Sequence, residues 1–145
     1  MATITSHQTC AKLSPMETYV NKVIGRLTGT VQKGRGEGAG FGFKTANLTV
    51  PTQELSVDEG VYSAYVKVDG KTYKAAVSVG VSPLFADETT SNVEAHIIDF
   101  EDEIYGKEIE IEFVEFLRPM IKFTSIQELI STVKTNINQA KTLPL

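Results

Sequence analysis

The chain has 145 residues, 41% of them apolar and 22% charged, with a formal net charge of −4. That length suits one domain with a sizeable core, and the acidic balance argues against a nucleic-acid or anionic-membrane surface, which needs a basic stripe. One cysteine, Cys10, excludes an internal disulfide and favours a reducing compartment.

Residues 1–15 lack the basic start and apolar run of a signal peptide, and no stretch reaches the roughly 18 apolar residues of a membrane span. A soluble, cytoplasmic, monomeric protein is expected. Residues 1–22 are polar and without period, and read as a poorly ordered leader to one domain over 23–145.

The first strand is predicted over 23–31, rich in Thr, Val and Ile. It runs into a loop with glycine at every second position: Gly34, Gly36, Gly38, Gly40 and Gly42, followed by Lys44-Thr45-Ala46-Asn47. Glycine lets a backbone lie close against a ligand, and N–H groups in irregular turns form anion-binding nests. A hydroxyl and an amide after such a loop suit Mg²⁺ carried with a nucleotide. The other reading is a mobile connection between strands. Neither standard phosphate motif is present: Phe43 precedes Lys44-Thr45, and each third position of G-x-G-x-x-G holds Ala39, Phe41, Phe43 or Thr45.

A short strand is predicted over 46–50, stopped by Pro51. Two alternating runs, 60–68 and 71–79, flank Asp69-Gly70, the preferred pair for a type I′ hairpin turn. Tyr62, Ala64, Val66 and Val68 face Tyr73, Ala75, Val77 and Val79 as the apolar sides. After a second long loop, 80–92, comes a strand over 93–99 and an acidic turn through Tyr105-Gly106. In the last strand, 108–117, the apolar phase is odd up to Phe113 and even from Val114, the mark of a bulge. Its Glu108, Glu110 and Glu112 read as an exposed face. A closing helix starts at a Ser125/Glu128 capping box, with Ile126, Leu129, Ile130, Val133, Ile137 and Ala140 as its apolar stripe. The expected fold is mainly β: about six antiparallel strands in a small barrel, with a C-terminal helix packed on it.

Few side chains offer chemistry. Two histidines and one cysteine make no zinc cluster, and only His96 stands in the folded part as a base for a triad. A nucleophilic triad is therefore not expected, and His96 reads more readily as a structural, hydrogen-bonded residue than as a base. Glu94 shares its face two residues away, either solvated or aimed into a pocket. Arg118 ends the last strand, either at a barrel mouth or in a surface ion pair.

In order and spacing, these pieces resemble the riboflavin kinase (flavokinase) family. The resemblance covers roughly 23–141. It rests on Gly42-Phe43-Lys44-Thr45-Ala46-Asn47, Gly60-Val61-Tyr62, Val77-Ser78-Val79-Gly80 with Pro83, Val93-Glu94-Ala95-His96, Asp99-Phe100, Tyr105-Gly106, Leu117-Arg118-Pro119, Lys122-Phe123 and the capped helix. It implies a six-stranded antiparallel Greek-key barrel that transfers the γ-phosphoryl of ATP to the 5′-hydroxyl of riboflavin, giving FMN. No H-x-G-H-type motif is present, so FMN adenylyltransferase activity is not expected.

The same resemblance makes Thr45 and Asn47 the Mg²⁺ ligands and assigns Glu94 as the base. The glycine loop with Gly34, Gly36 and Gly38 becomes a nucleotide flap, with 80–92 as a second. Arg118 falls near an isoalloxazine ring held between barrel and helix. Three positions depart from the family's pattern: Lys44 replaces a usual proline, Ala39 a basic or polar residue, and Met120 a glutamate. They leave room for a weak or inactive flavin- or nucleotide-binding barrel that acts as sensor or carrier.

Overall fold

In the computed structural model, the described residues are 23–33, 44–81 and 90–145. The leader 1–22, the loop with Gly34, Gly36, Gly38 and Ala39, and residues 82–89 lie outside them. Six strands form one antiparallel sheet: β1 (Gly25–Thr30), β2 (Ala46–Pro51), β3 (Gly60–Val68), β4 (Lys71–Val81), β5 (Thr90–Ile97) and β6 (Glu108–Arg118). Their spatial order is β1-β6-β3-β4-β5-β2. The meander β3-β4-β5 with β6 returning beside β3 is the Greek-key order. Just beyond β1, the Gln32 N–H donates to the Asn47 carbonyl at 2.7 Å, so the two sheet edges meet and the barrel nearly closes.

Period-two patterning explains the inside. Ala46, Leu48 and Val50 of β2 join Ala75, Val77 and Val79 of β4 and Val93, Ala95 and Ile97 of β5 in one buried core. Tyr62, Ala64, Val66 and Val68 of β3 complete it with Ile109, Ile111 and Phe113 of β6. The turn residues Asp69 (φ 50°) and Gly70 (φ 82°) are both left-handed, as a type I′ turn demands. Tyr73 is only partly buried, at the rim against Phe100.

The helix α1 (Ile126–Lys141) lies over the outer face of β3 and β4. For that reason Val61, Ser63 and Tyr65, which alternation assigns to the outside, are buried too. Ala140 packs on Ala76 and Ile98 in a second small cluster. Lys74 Nζ donates to the Lys141 carbonyl at 2.9 Å, and the Tyr65 hydroxyl donates to the Pro144 carbonyl. At the other end the Ser125 hydroxyl accepts the Glu128 N–H at 3.1 Å. Glu128 reaches back one residue further than a standard box, to the Thr124 N–H at 3.0 Å.

The phase change in β6 is a bulge. Ala64 pairs with Phe113 and Ser63 with Glu115, which leaves Val114 without a partner; a second offset places Val61 opposite Arg118.

Three expectations need correction. Glu112 is buried, at 3% exposure, because it stands between Arg26 on β1 and Tyr65 on β3 and takes ion pairs from both sides. Phe116 stays half exposed past the bulge, edge-on to Tyr62. Ile126, at the start of α1, is exposed, while Asn136 takes a buried place in the stripe.

Candidate active site

The strand registers bring the sequence-predicted residues into line. Asn47 on β2 stands opposite Glu94 on β5, Glu94 opposite Ser78 on β4, Ser78 opposite Val61 on β3, and Val61 opposite Arg118 on β6. Directly paired antiparallel residues point the same way. The neighbours of Asn47, Glu94 and Ser78 along each strand face the core, so this row lies on the outer face. Asn47 and Glu94 share one end of it. Arg118 lies three strand intervals from Glu94, about 14 Å measured along the sheet.

Thr45 immediately precedes β2, and the Asn47 side-chain N–H groups reach its carbonyl and hydroxyl oxygens, each at 3.4 Å. With the amide nitrogen turned to Thr45, the amide oxygen of Asn47 remains for another partner. Gln32 anchors the Asn47 backbone, so barrel closure and this side chain share one support. His96 follows two residues after Glu94, opposite Ala76. Burial lowers the pKa of its imidazole from the ordinary histidine value.

A cleft opens next to Thr45. Its floor is Ala46, Ala95, Ile97 and Ile104, and its walls are Lys44, Phe100, Asp102, Glu103 and Tyr105. Lys44 Nζ spans to the Glu101 carbonyl at 2.8 Å. An apolar floor with aromatic and charged walls beside the side-chain oxygens of Thr45 and Asn47 has the mixed character of a small-molecule cleft. The strand expected over 93–99 ends at Ile97, and the acidic turn that follows it in the sequence is part of a longer connection; which of its residues line a cleft depends on how it folds back across the barrel end.

Among the described residues no group of three or more His, Cys, Asp or Glu side chains can hold an ion. Thr45 and Asn47 offer neutral oxygens only, a set that suits Mg²⁺ delivered on phosphate with water completing the shell.

On the other side of the row, Arg118 has no carboxylate partner among the described residues, so the surface ion pair considered for it is not formed. Its Nε donates to Asn136 Oδ1 at 2.9 Å and its Nη1 to the Pro119 carbonyl at 3.2 Å, and the guanidinium lies 5.6 Å from the Phe123 ring centre. Burial pulls the Arg118 pKa down from its ordinary value. Asn136 was missed in the sequence. Its signal was a polar residue in phase with the apolar stripe, three after Val133 and four before Ala140.

The sequence profile of the Flavokinase family, described as riboflavin kinase, matches residues 24–143. This chain belongs to the riboflavin kinase family. It is 42% identical over 110 residues to the trifunctional protein RibF/MnmA of Mycoplasmoides gallisepticum, over 76% of this chain and 17% of that protein. It is 32% identical to the riboflavin kinase of Homo sapiens, over 78% of this chain and 76% of that one. The chain thus spans under a fifth of the first relative and about three quarters of the second. The crystal structure of riboflavin kinase from Trypanosoma brucei superposes with a TM-score of 0.58 at 23% identity, over 81% of this chain and 77% of that one, a likeness of fold.

Within a riboflavin kinase framework, two departures from the family pattern acquire surroundings. Lys44 is engaged across the cleft mouth through its bond to Glu101. Met120 is half exposed and lies against Gly80, where its Cε stands 3.4 Å from the position of an added Cβ. No helix among the described residues is long and apolar enough to cross a membrane.

Proposed function

We propose that this chain phosphorylates riboflavin on its 5′-hydroxyl with ATP, giving FMN and ADP. The observation that carries the reading is the register pairing of Asn47 with Glu94, which sets a carboxylate directly beside the Thr45/Asn47 oxygen pair. Glu94 accepts the proton of the 5′-hydroxyl as its oxygen attacks the γ-phosphorus. The new O–P bond forms while the bond to the β-phosphate oxygen breaks, and ADP leaves with that electron pair. Thr45 and Asn47 would hold Mg²⁺ by their neutral oxygens, and the ion would supply charge neutralisation at the phosphates. Phosphoryl transfer depends mainly on positioning and charge neutralisation, so one base and two ligands on adjacent strands are a sufficient protein contribution.

The flavin is proposed to lie between the barrel and α1. Leu129, Ile130 and Val133 on α1 are only partly buried, and Met120, Ile121 and Ile126 are exposed. Such incomplete cover of apolar side chains suits a three-ring aromatic ligand.

The test is to incubate the pure protein with riboflavin, ATP and Mg²⁺ and separate the flavins. FMN that requires both ATP and Mg²⁺ is expected. Replacing the base, Glu94→Gln, should lower kcat by about 10²–10⁴-fold while flavin binding persists, the range removed with a general base. Full turnover in that variant would take Glu94 out of the base role. Lys44 and Met120 favour a second reading, a barrel that binds flavin or nucleotide without turnover; bound riboflavin with no ADP formed would select it.

A further inference from the structure

We infer that Asn136 is the positioning residue that aims Arg118 at the flavin, so that helix α1 sets flavin affinity through one buried amide. The inference rests on the proposed flavin side of the site and names a residue not assigned there. Its first support is burial. Asn136 is 4% exposed within the apolar stripe of α1, where an amide costs desolvation unless both its ends are bonded. Both are: Oδ1 accepts from Arg118 Nε at 2.9 Å, and Nδ2 donates to Gln139 Oε1 at 3.0 Å. The Gln139 acceptor takes the nitrogen end, which leaves the oxygen for the guanidinium.

The second support is charge. Arg26, Lys67 and Lys107 are each paired with a carboxylate, whereas among the described residues Arg118 is held by neutral acceptors and an aromatic ring. An amide fixes the guanidinium without neutralising it. The cation stays available for an electron-rich partner, and the carbonyl-bearing edge of a flavin ring offers one.

The third support is placement. The second β6 offset sets Arg118 opposite Val61, in the row that ends at Glu94 and Asn47. An arginine free to turn would lose that alignment, and the planar fork loses little entropy when one nitrogen is already bound.

The experiment measures riboflavin binding by fluorescence quenching, alongside KM for riboflavin and for MgATP. Variants are Asn136→Leu, Asn136→Asp, Arg118→Lys and the double Arg118→Lys/Asn136→Leu. Asn136→Leu should weaken riboflavin binding by about tenfold, the scale of one lost charge-assisted hydrogen bond, and leave KM for MgATP within about twofold. Asn136→Asp, which keeps an oxygen acceptor in place but neutralises the guanidinium and gives up the bond to Gln139, should recover only part of that loss. In the Arg118→Lys background, Asn136→Leu should add little, because the two act as one unit.

Unchanged riboflavin binding in Asn136→Leu overturns the inference. So does an equal loss in both backgrounds, or an equal rise in both KM values. If wild type binds riboflavin but forms no FMN, the kinase reading fails while the binding data still decide the role of Asn136.

Discussion

Glu112 puts a charge where the chain has little water to offer it. It is buried on the outer face of the barrel, with Arg26 Nε 2.9 Å from one carboxylate oxygen and Lys67 Nζ 3.4 Å from the other. Burial raises its pKa above the usual carboxylate value in spite of these cations. A raised folded pKa adds stability below the unfolded value, and that contribution is lost as pH rises through the folded one. At pH 7 the charged form is therefore held at some expense, and its two partners, both partly exposed, can return to water. Glu112→Gln should accordingly be close to neutral, within about 1 kcal/mol. Arg26→Met, which strands the buried carboxylate with Lys67 alone, should cost about 1–3 kcal/mol. Urea unfolding of both variants at pH 7 checks the order. A costlier Glu112→Gln would mean that the pairs outweigh desolvation.

At the scale of elements, the local rules and the structure agree where the chain signals with its own neighbours. The hairpin β3-β4 follows from Asp69-Gly70, β2 and β5 from alternation, and α1 from Ser125 and Glu128. Ser125→Ala removes the acceptor of the Glu128 N–H and should cost about 1 kcal/mol, which in a chain of this size lowers Tm by about 2–4 °C. Thermal unfolding by circular dichroism reads it; an unchanged Tm would mean that contacts at Ala140, Lys141 and Pro144 alone hold the helix. The places where element reasoning fell short share one cause. Alternation assigns Val61, Ser63 and Tyr65 to solvent, and only the helix laid over β3 buries them. The same covering turned Asn136 from a break in an apolar stripe into a buried ligand of Arg118.

At the scale of the molecule, the decisive feature is the seam between β1 and β2. Gln32 and Asn47 close it, and Asn47 is also a proposed nucleotide-side ligand. Close approach at the seam depends on Gly29: a Cβ there would stand 2.4 Å from Leu48 Cδ2, and Leu48 is fully buried and has nowhere to move. Gly29→Ala should therefore overpack the seam and cost about 1–3 kcal/mol. Because the shift is transmitted to β2, KM for MgATP should rise more than KM for riboflavin. Equal KM changes, or none with stability lost, would separate closure from the site.

Much of this protein was determined by the sequence on its own. Strand period, turn chemistry, the helix cap and the phase change in β6 are local properties of consecutive residues, and they sufficed for a six-stranded barrel with a C-terminal helix. The ordered motifs around Thr45, Asn47 and Glu94 sufficed for the family. Tertiary structure alone decided the rest. Which residues stand side by side across five strands depends on registers between segments far apart in sequence, and on two offsets that add residues to one strand only. The burial of Glu112, the neutral cradle of Arg118 and the cleft beside Thr45 all arise from such pairings. A side chain's type states what it can bond; only the folded register determines what comes within reach.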